Sequence, residues 1–259
     1  YYGPQKWMMH SLNFTLSKPH ALFDQTKFTL ALQDYEESRH NRGIGSSRRT
    51  DRTEKVKAFS ANLDLDKQLG DMLTVYYGAE FITNKVTSIG TRENISSGEV
   101  EPTSTRYPDG SDWRTYAGYV SLKIKPNQNW VINLSNRFTN VYTHSVYDRT
   151  FFDFPFTEPT LKNKSVNGSL GVIFSPAVTW KLYGNVSSAF RSPNVDDIGK
   201  VFDSEPGNVV VPNPELDPER AYGSELGMAA ALSDKIKIDV AAYYTTIDNA
   251  IARGSATFN

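Results

Sequence analysis

Cysteine is absent from this 259-residue sequence. Its absence excludes a disulfide framework and any metal site built on thiolates. Long apolar runs are also missing, because no stretch reaches the about 18 apolar residues that a transmembrane helix requires. No signal peptide precedes the first segment, Tyr1-Tyr2-Gly3-Pro4, which starts within an already patterned stretch. We therefore expect the chain to be a segment of a longer protein.

The sequence also lacks a recognisable catalytic or metal-binding set. Its four histidines are scattered without metal-ligand spacing: His10, His20, His40 and His144. Gly43-Ile44-Gly45 has no strand–turn–helix context for cradling a phosphate, and there is no nucleophile elbow. The net charge of −1 gives no reason to expect a nucleic-acid partner. We predict a protein that is not an enzyme and has no cofactor, catalytic residue or resident metal.

Aromatic residues, by contrast, are abundant. The chain has 14 tyrosines and 14 phenylalanines, although its mean hydropathy is negative. A transmembrane β-barrel combines these properties, because only one face of each strand meets lipid.

Strict alternation of apolar and polar residues is the main local pattern. Between 178 and 191 the even positions are mainly apolar and the odd positions mainly polar. This length exceeds the roughly 9–11 residues with which a tilted strand crosses a bilayer. The pattern predicts ten strands, near 8–16, 26–40, 53–66, 72–88, 113–125, 129–148, 163–175, 178–191, 219–232 and 235–251.

The connections between these segments alternate in length. Short turns are predicted at Asp66–Asp71, Pro126–Asn129, Ser175–Ala177 and Ser233–Lys235, and long loops near 41–52, 89–112, 149–162 and 192–218. Short turns on one side and long loops on the other are typical of an outer-membrane barrel. Trp130 and Trp180 each follow a short turn, which suits an interfacial aromatic girdle. A soluble β-sandwich is the alternative, but its strands average about 5–6 residues and its loops need not alternate.

The longest loop carries two motifs. Phe190-Arg191-Ser192-Pro193 ends one strand, and Asn213-Pro214-Glu215-Leu216-Asp217-Pro218-Glu219 begins the next. Prolines between them exclude a long regular element. The two motifs resemble the Phe-Arg-Ala-Pro and Asn-Pro-Asn-Leu-Lys-Pro-Glu boxes of TonB-dependent outer-membrane receptors, and 191–219 is most similar to receptors of Bacteroidetes-like bacteria. We favour a structural role for Phe190, Arg191, Pro193, Asn213, Pro214 and Glu219, with Arg191 paired to Glu219 or Glu225, over direct ligand contact.

The resemblance implies a fold, a location and partners. Such receptors have a 22-stranded barrel closed by an N-terminal plug, and they import scarce ligands with energy passed through TonB. Residues 1–259 would be part of one such all-β barrel domain in the bacterial outer membrane, with the plug absent. Implied partners are TonB, through the missing plug, outer-membrane lipid and lipopolysaccharide, and a small-molecule or iron-complex ligand. A ferric siderophore is the favoured ligand; haem receptors of this family place a histidine between the two boxes, and Asn194–Pro212 contains none.

The other loops supply candidate ligand-binding residues. A first group lies in or beside loop 41–52, where guanidinium groups could pair with an anionic ligand or with lipopolysaccharide phosphates: Arg48, Arg49 and Arg52, with Arg39 and Arg42 nearby. A second loop contributes Arg106, Tyr107 and Trp113. A third contributes Arg149, Phe151 and Phe152, with Phe154 and Phe156. A soluble charged loop and aromatics folded over the lumen are the respective structural alternatives.

Two further possibilities stay open from the sequence. Asp196, Asp197, Asp203 and Glu205 could bind Ca²⁺, but their spacing is not that of an EF-hand, which favours a solvated acidic loop. In place of an energy-coupled importer, the chain could belong to a passive porin or translocator, or to a soluble β-rich carbohydrate-binding domain.

Overall fold

The computed structural model describes residues 1–151, 153–154, 156–199, 203–205, 208–209, 213–252 and 254, with only the backbone for 203–205 and 208–209. In chain order the elements are β1 (Tyr2–Ser17), β2 (Gln25–Asn41), β3 (Arg48–Leu69), β4 (Leu73–Asn94), β5 (Glu99–Pro102), β6 (Asp112–Asn127), β7 (Trp130–His144), β8 (Thr160–Ala177), β9 (Trp180–Arg191), α1 (Val195–Ile198), β10 (Asp203–Glu205), β11 (Asn208–Val209), β12 (Glu219–Ala231) and β13 (Lys237–Asp248).

Ten of these strands form one antiparallel meander. Their order is β1-β2-β3-β4-β6-β7-β8-β9-β12-β13, and the short β5 pairs with β4. Each of the ten strands predicted from the sequence is present, in the predicted order. The architecture is therefore an all-β, antiparallel barrel segment. Within the described part of the chain, no helix is long and apolar enough to cross a membrane.

Three predicted turns were misplaced by a few residues, and the first of them, predicted at 66–71, is 70–72. Strand β6 runs through Pro126 to Asn127, and β8 runs through Pro176 to Ala177, so the turns are 128–129 and 178–179. In both hairpins the register shifts around the proline and one further pair then forms, Asn127 with Trp130 and Ala177 with Trp180. Proline has no N–H to donate, so it interrupts the ladder without ending it.

Two predicted loops are much shorter than expected. Strands β3 and β4 pair continuously up to Arg48 and Asn94. This leaves 42–47 as the β2–β3 connection, and 95–111, which contains β5, as the β4–β6 connection. Arg48, Arg49 and Arg52 all lie on β3, beside this connection and not in it. Side chains at this end are polar on both faces, so the alternation disappears while the backbone ladder continues.

The two faces of the sheet differ in chemistry. One face carries cross-strand rows of apolar side chains, such as Phe14, Phe28, Leu63, Ala79, Gly118, Phe138 and Val166. The opposite face carries polar contacts: Tyr119 Oη donates to Asp64 at 2.6 Å, and Ser121 bonds to Ser135 at 2.7 Å. A lipid-facing side and a polar lumen side follow from this division.

Gly78 makes room for one of these lumen contacts. A Cβ at this position would lie 2.3 Å from the carbonyl oxygen of Leu63 and 2.7 Å from the Tyr119 ring. Only glycine therefore lets the Tyr119 ring lie across β4 and reach Asp64.

The two motifs of the longest loop are joined by an ion-pair clasp. Arg191 Nη1 donates to Glu219 at 2.8 Å and Nη2 donates to both oxygens of Asp197 at 2.7 Å. The predicted pairing of Arg191 with Glu219 is therefore present. Asn194 caps α1 through the amides of Asp196 and Asp197. The clasp ties the end of β9, helix α1 and the start of β12 together.

Backbone contacts complete this connection. The amide of Asn213 donates to the carbonyl of Ile198 at 2.7 Å, and Pro193 is fully buried. These contacts hold parts of the connection to one another, as residues with a structural role do. They involve Arg191, Pro193, Asn213 and Glu219.

We expect Gly78→Ala to destabilise the intact protein, because the new Cβ must displace backbone or the Tyr119 ring, at about 1–3 kcal/mol. The temperature at which the folded band disappears in seminative electrophoresis should fall. Gly118→Ala is the matched control, since its Cβ would meet only a carbonyl oxygen at 3.7 Å. Equal melting temperatures for the two variants would contradict the packing argument.

We expect Arg191→Ala to loosen α1. Amide hydrogen exchange of a peptide covering 190–199 should accelerate about two- to fivefold, the range for partly exposed ion pairs. Arg92→Ala, which breaks a surface pair with Glu101, should leave that peptide unchanged. Unaltered exchange in Arg191→Ala would show that the clasp does not hold the helix.

Candidate ligand site

Polar and aromatic side chains converge on the lumen face at the long-loop end of the sheet. They surround a cavity of about 290 Å³, here called the inner cavity. Its main lining residues are Tyr35, Glu37, Glu54, Arg106, Tyr107 and Trp113. They come from β2, β3, the connection 103–111 and β6, and α1 adds Asn194, Val195 and Asp196.

Strand register explains why these residues share one face. Tyr35 lies opposite Val56, and Glu37 lies opposite Glu54. Val56 in turn lies opposite Val86. Since side chains two apart on a strand project to the same side, the register brings all five to the cavity.

Glu37 is the centre of the polar contacts. It accepts hydrogen bonds from Tyr35 Oη at 2.8 Å, from Arg39 Nε at 2.5 Å and from Arg106 Nη1 at 3.0 Å. The Arg106 guanidinium also lies 4.9 Å above the Tyr107 ring. Charge-assisted bonds of this type fix side-chain position as well as adding stability.

Tyr107 connects this group to α1. Burial, together with the nearby Asp196 carboxylate, raises the pKa of Tyr107 to about 12. The phenol therefore remains protonated at neutral pH and bonds to Asp196. Loop 103–111 and α1 are thus linked directly above the inner cavity.

Two further cavities adjoin this region. One of about 510 Å³ shares Trp113 and Asn194 with the inner cavity and extends along the lumen face to Arg137 and Phe190. Another, of about 440 Å³, lies between connections 103–111 and 145–159 and includes Phe151. The long-loop end therefore offers concave surface with both aromatic and charged groups, as small-molecule sites do.

The structure brings some of the predicted residues together and separates others. Arg106, Tyr107 and Trp113 meet in the inner cavity. Arg49 pairs instead with Asp51 at 2.9 Å and Glu93 at 2.7 Å, and Arg52 donates to the Ser104 carbonyl at 3.0 Å. Arg48 is the first residue of β3, at the same end of the sheet.

The aromatic connection 145–159 mostly packs upon itself. Tyr147, Phe154, Leu161 and Ile198 form a buried cluster against which Phe156 packs, and burial raises the pKa of Tyr147. Arg149 forms an exposed pair with Asp153. Phe151 is 38% exposed, whereas Phe152 lies outside the described residues. These contacts show an aromatic connection that is largely packed against itself, Leu161 and Ile198, with Phe151 partly exposed.

Sequence reasoning missed Tyr35, Glu37 and Glu54. Tyr35 and Glu37 are two residues apart on a predicted strand, so the sequence could have shown that they lie on the same face. The meeting of Glu37 with Glu54 depends on register, which the sequence alone does not specify.

The acidic residues of the longest loop do not form a common site among the described side chains. Asp197 is bound by Arg191, and Asp196 bonds to Tyr107. The side chains of Asp203 and Glu205 lie outside the described part. Within that part, no group of three His, Asp or Glu residues is arranged to hold a metal ion.

Solved structures with the same fold are receptors and transporters. The copper transporter OprC superposes with a TM-score of 0.79 at 12% identity, covering 95% of this chain and 39% of its own. The ferric citrate transporter FecA gives 0.68 at 18% identity, covering 98% and 36%. The ferric yersiniabactin uptake receptor FyuA from Yersinia pestis gives 0.67 at 15% identity, covering 94% and 36%. The chain thus spans about two fifths of the length of these structures.

Comparison with curated protein sequences gives no match. The family described as TonB dependent receptor-like, beta-barrel, matches residues 2–259. This match covers nearly the whole chain and agrees with the meander, its two-faced strands and the clasped pair of motifs. The chain therefore belongs to the β-barrel family of TonB-dependent receptors.

Proposed function

We propose that the intact protein is an outer-membrane receptor that imports a scarce ligand with energy supplied by TonB. The observation that carries this proposal is the family match over residues 2–259. Residues 1–259 would form part of a single 22-stranded barrel domain. TonB would act through a plug that another part of the protein supplies.

We propose a ferric siderophore or a similar iron complex as the ligand. Two of the similar structures carry ferric ligands in their names, ferric citrate and ferric yersiniabactin. Haem is less well supported, because among the described residues no histidine lines the inner cavity or its two neighbours.

The candidate ligand contacts follow from position. Arg106, Tyr107 and Trp113 would form the floor of the site. The rim would consist of Arg48, Arg49, Arg52, Arg149, Phe151 and Phe152. Of these, Arg49, Arg52 and Arg149 would have to exchange contacts within the chain for contacts with ligand.

Lipid and lipopolysaccharide are the partners proposed for the outward face. Its apolar rows suit hydrocarbon, and Arg114 and Lys162 flank Tyr142 at the long-loop end. Cations above an apolar band are suitably placed for lipopolysaccharide phosphates.

We expect uptake of a ⁵⁵Fe-labelled siderophore by cells producing the intact protein to require TonB. Deleting tonB should reduce uptake to the level of cells lacking the receptor, while surface binding persists. Uptake that continues unchanged without TonB would instead indicate a passive porin.

We expect the double variant Tyr107→Ala, Trp113→Ala to weaken ligand binding by more than about tenfold, because buried aromatics commonly dominate binding energy. Equilibrium binding to cells, normalised to the amount of receptor at the surface, measures this effect. Tyr142→Ala, at the same end but on the outward face, is the matched control. If both variants bind equally well, the inner cavity is not the site.

A further inference from the structure

Glu54 is a buried carboxylate without a hydrogen-bond partner. Only 3% of the residue is exposed, and it lines the inner cavity. Neither carboxylate oxygen has a partner among the described residues. A buried acceptor left unsatisfied costs about 1–3 kcal/mol, and more when it is charged, so this arrangement requires a cause.

The nearby cations are already committed to Glu37. Arg39 and Arg106 both donate to Glu37, which lies directly opposite Glu54 in the sheet. Arg52 is held by Ser104. The cavity therefore contains one carboxylate that the surrounding guanidinium groups do not bond.

A second polar atom in the same cavity is also unsatisfied. Nε of Arg106 is buried and has no hydrogen-bond partner, although Nη1 of the same side chain bonds to Glu37. The inner cavity thus presents one unused acceptor group, the Glu54 carboxylate, and one unused cationic donor, the Arg106 Nε–H.

The two unused groups are of opposite kind, an acceptor on Glu54 and a cationic donor on Arg106. A simple cation or a simple anion would satisfy only one of them, whereas a ligand that carries both charges would satisfy both. Tyr35, Tyr107 and Trp113 add aromatic surface that suits an ammonium group and an apolar side chain.

We propose that the inner cavity binds a zwitterionic α-amino-acid group, with its ammonium on Glu54 and its carboxylate on Arg106 Nε. An ammonium group supplies three donors to the unused oxygens, and the ligand carboxylate accepts the unused guanidinium proton. This inference deepens the proposed function, on which it rests for the route by which ligand arrives. It assigns that ligand, or part of it, to the class of free amino acids and compounds that carry an unblocked amino-acid group.

The test uses the intact protein in detergent and three probes of similar shape. L-leucine carries both charged groups, isoamylamine lacks the carboxylate, and 4-methylpentanoate lacks the ammonium. Isothermal titration should show L-leucine binding at least about tenfold more tightly than either analogue, since each lost charge-assisted bond amounts to about 1.5–3 kcal/mol. Equal affinity for all three probes, or no binding of L-leucine, would overturn the proposal.

Two variants separate the two contacts. Glu54→Gln should weaken binding of L-leucine and isoamylamine at least about tenfold and leave 4-methylpentanoate unaffected. Arg106→Lys should weaken L-leucine and 4-methylpentanoate but not isoamylamine. Glu99→Gln, an exposed carboxylate on β5, is the control and should behave as the unaltered protein. The electrophoretic melting temperature confirms that each variant is folded.

Binding in detergent needs no energy coupling, so the two proposals fail separately. If the protein binds L-leucine but imports neither the iron complex nor labelled L-leucine in a TonB-dependent manner, the result would support the cavity assignment and contradict the importer. TonB-dependent uptake by a protein that does not bind L-leucine would support the importer and contradict the cavity assignment.

Discussion

Every peptide group in a membrane-spanning sheet must find its hydrogen-bond partner within the sheet, because hydrocarbon offers none. The rest of this structure depends on that constraint. It requires an uninterrupted antiparallel ladder of backbone hydrogen bonds. Because the backbone is the same on both faces, only the side chains can make one face apolar toward lipid and the other polar toward the lumen. The ladder tolerates Pro126 and Pro176 only next to turns, where one lost bond affects few pairs.

The same constraint explains how much of the fold was predictable. Side chains alternate wherever the two faces have different surroundings, so all ten strands could be found from the sequence. Near Arg48 and Asn94 both faces are polar, and the alternation carries no information although the ladder continues. Strand ends there were consequently misplaced, by five residues at the start of β3 and six at the end of β4.

The candidate site was predictable only in part. Arg106, Tyr107 and Trp113 stood out because of residue type and position. Glu54 did not, since its importance arises from lying opposite Glu37 and from cations already bound elsewhere. Register and competition between partners are properties of the folded sheet, and local sequence does not encode them. The ion pair between Arg191 and Glu219 was easier to predict, because the two motifs that contain these residues are recognisable in the sequence.

The height of β3 has a consequence for where the inner cavity lies. Its 22 residues, at about 3.4 Å each and a tilt of about 40°, rise roughly 55 Å, whereas the apolar band of such barrels is about 25 Å tall. Outward-facing Lys55 and Lys57 lie just above Phe59 and mark the top of that band. Glu54 consequently lies outside the apolar band, toward the long-loop end of the sheet. The inner cavity therefore lies apart from the apolar band, and the ion pairs around it lie where dissolved salt can screen them.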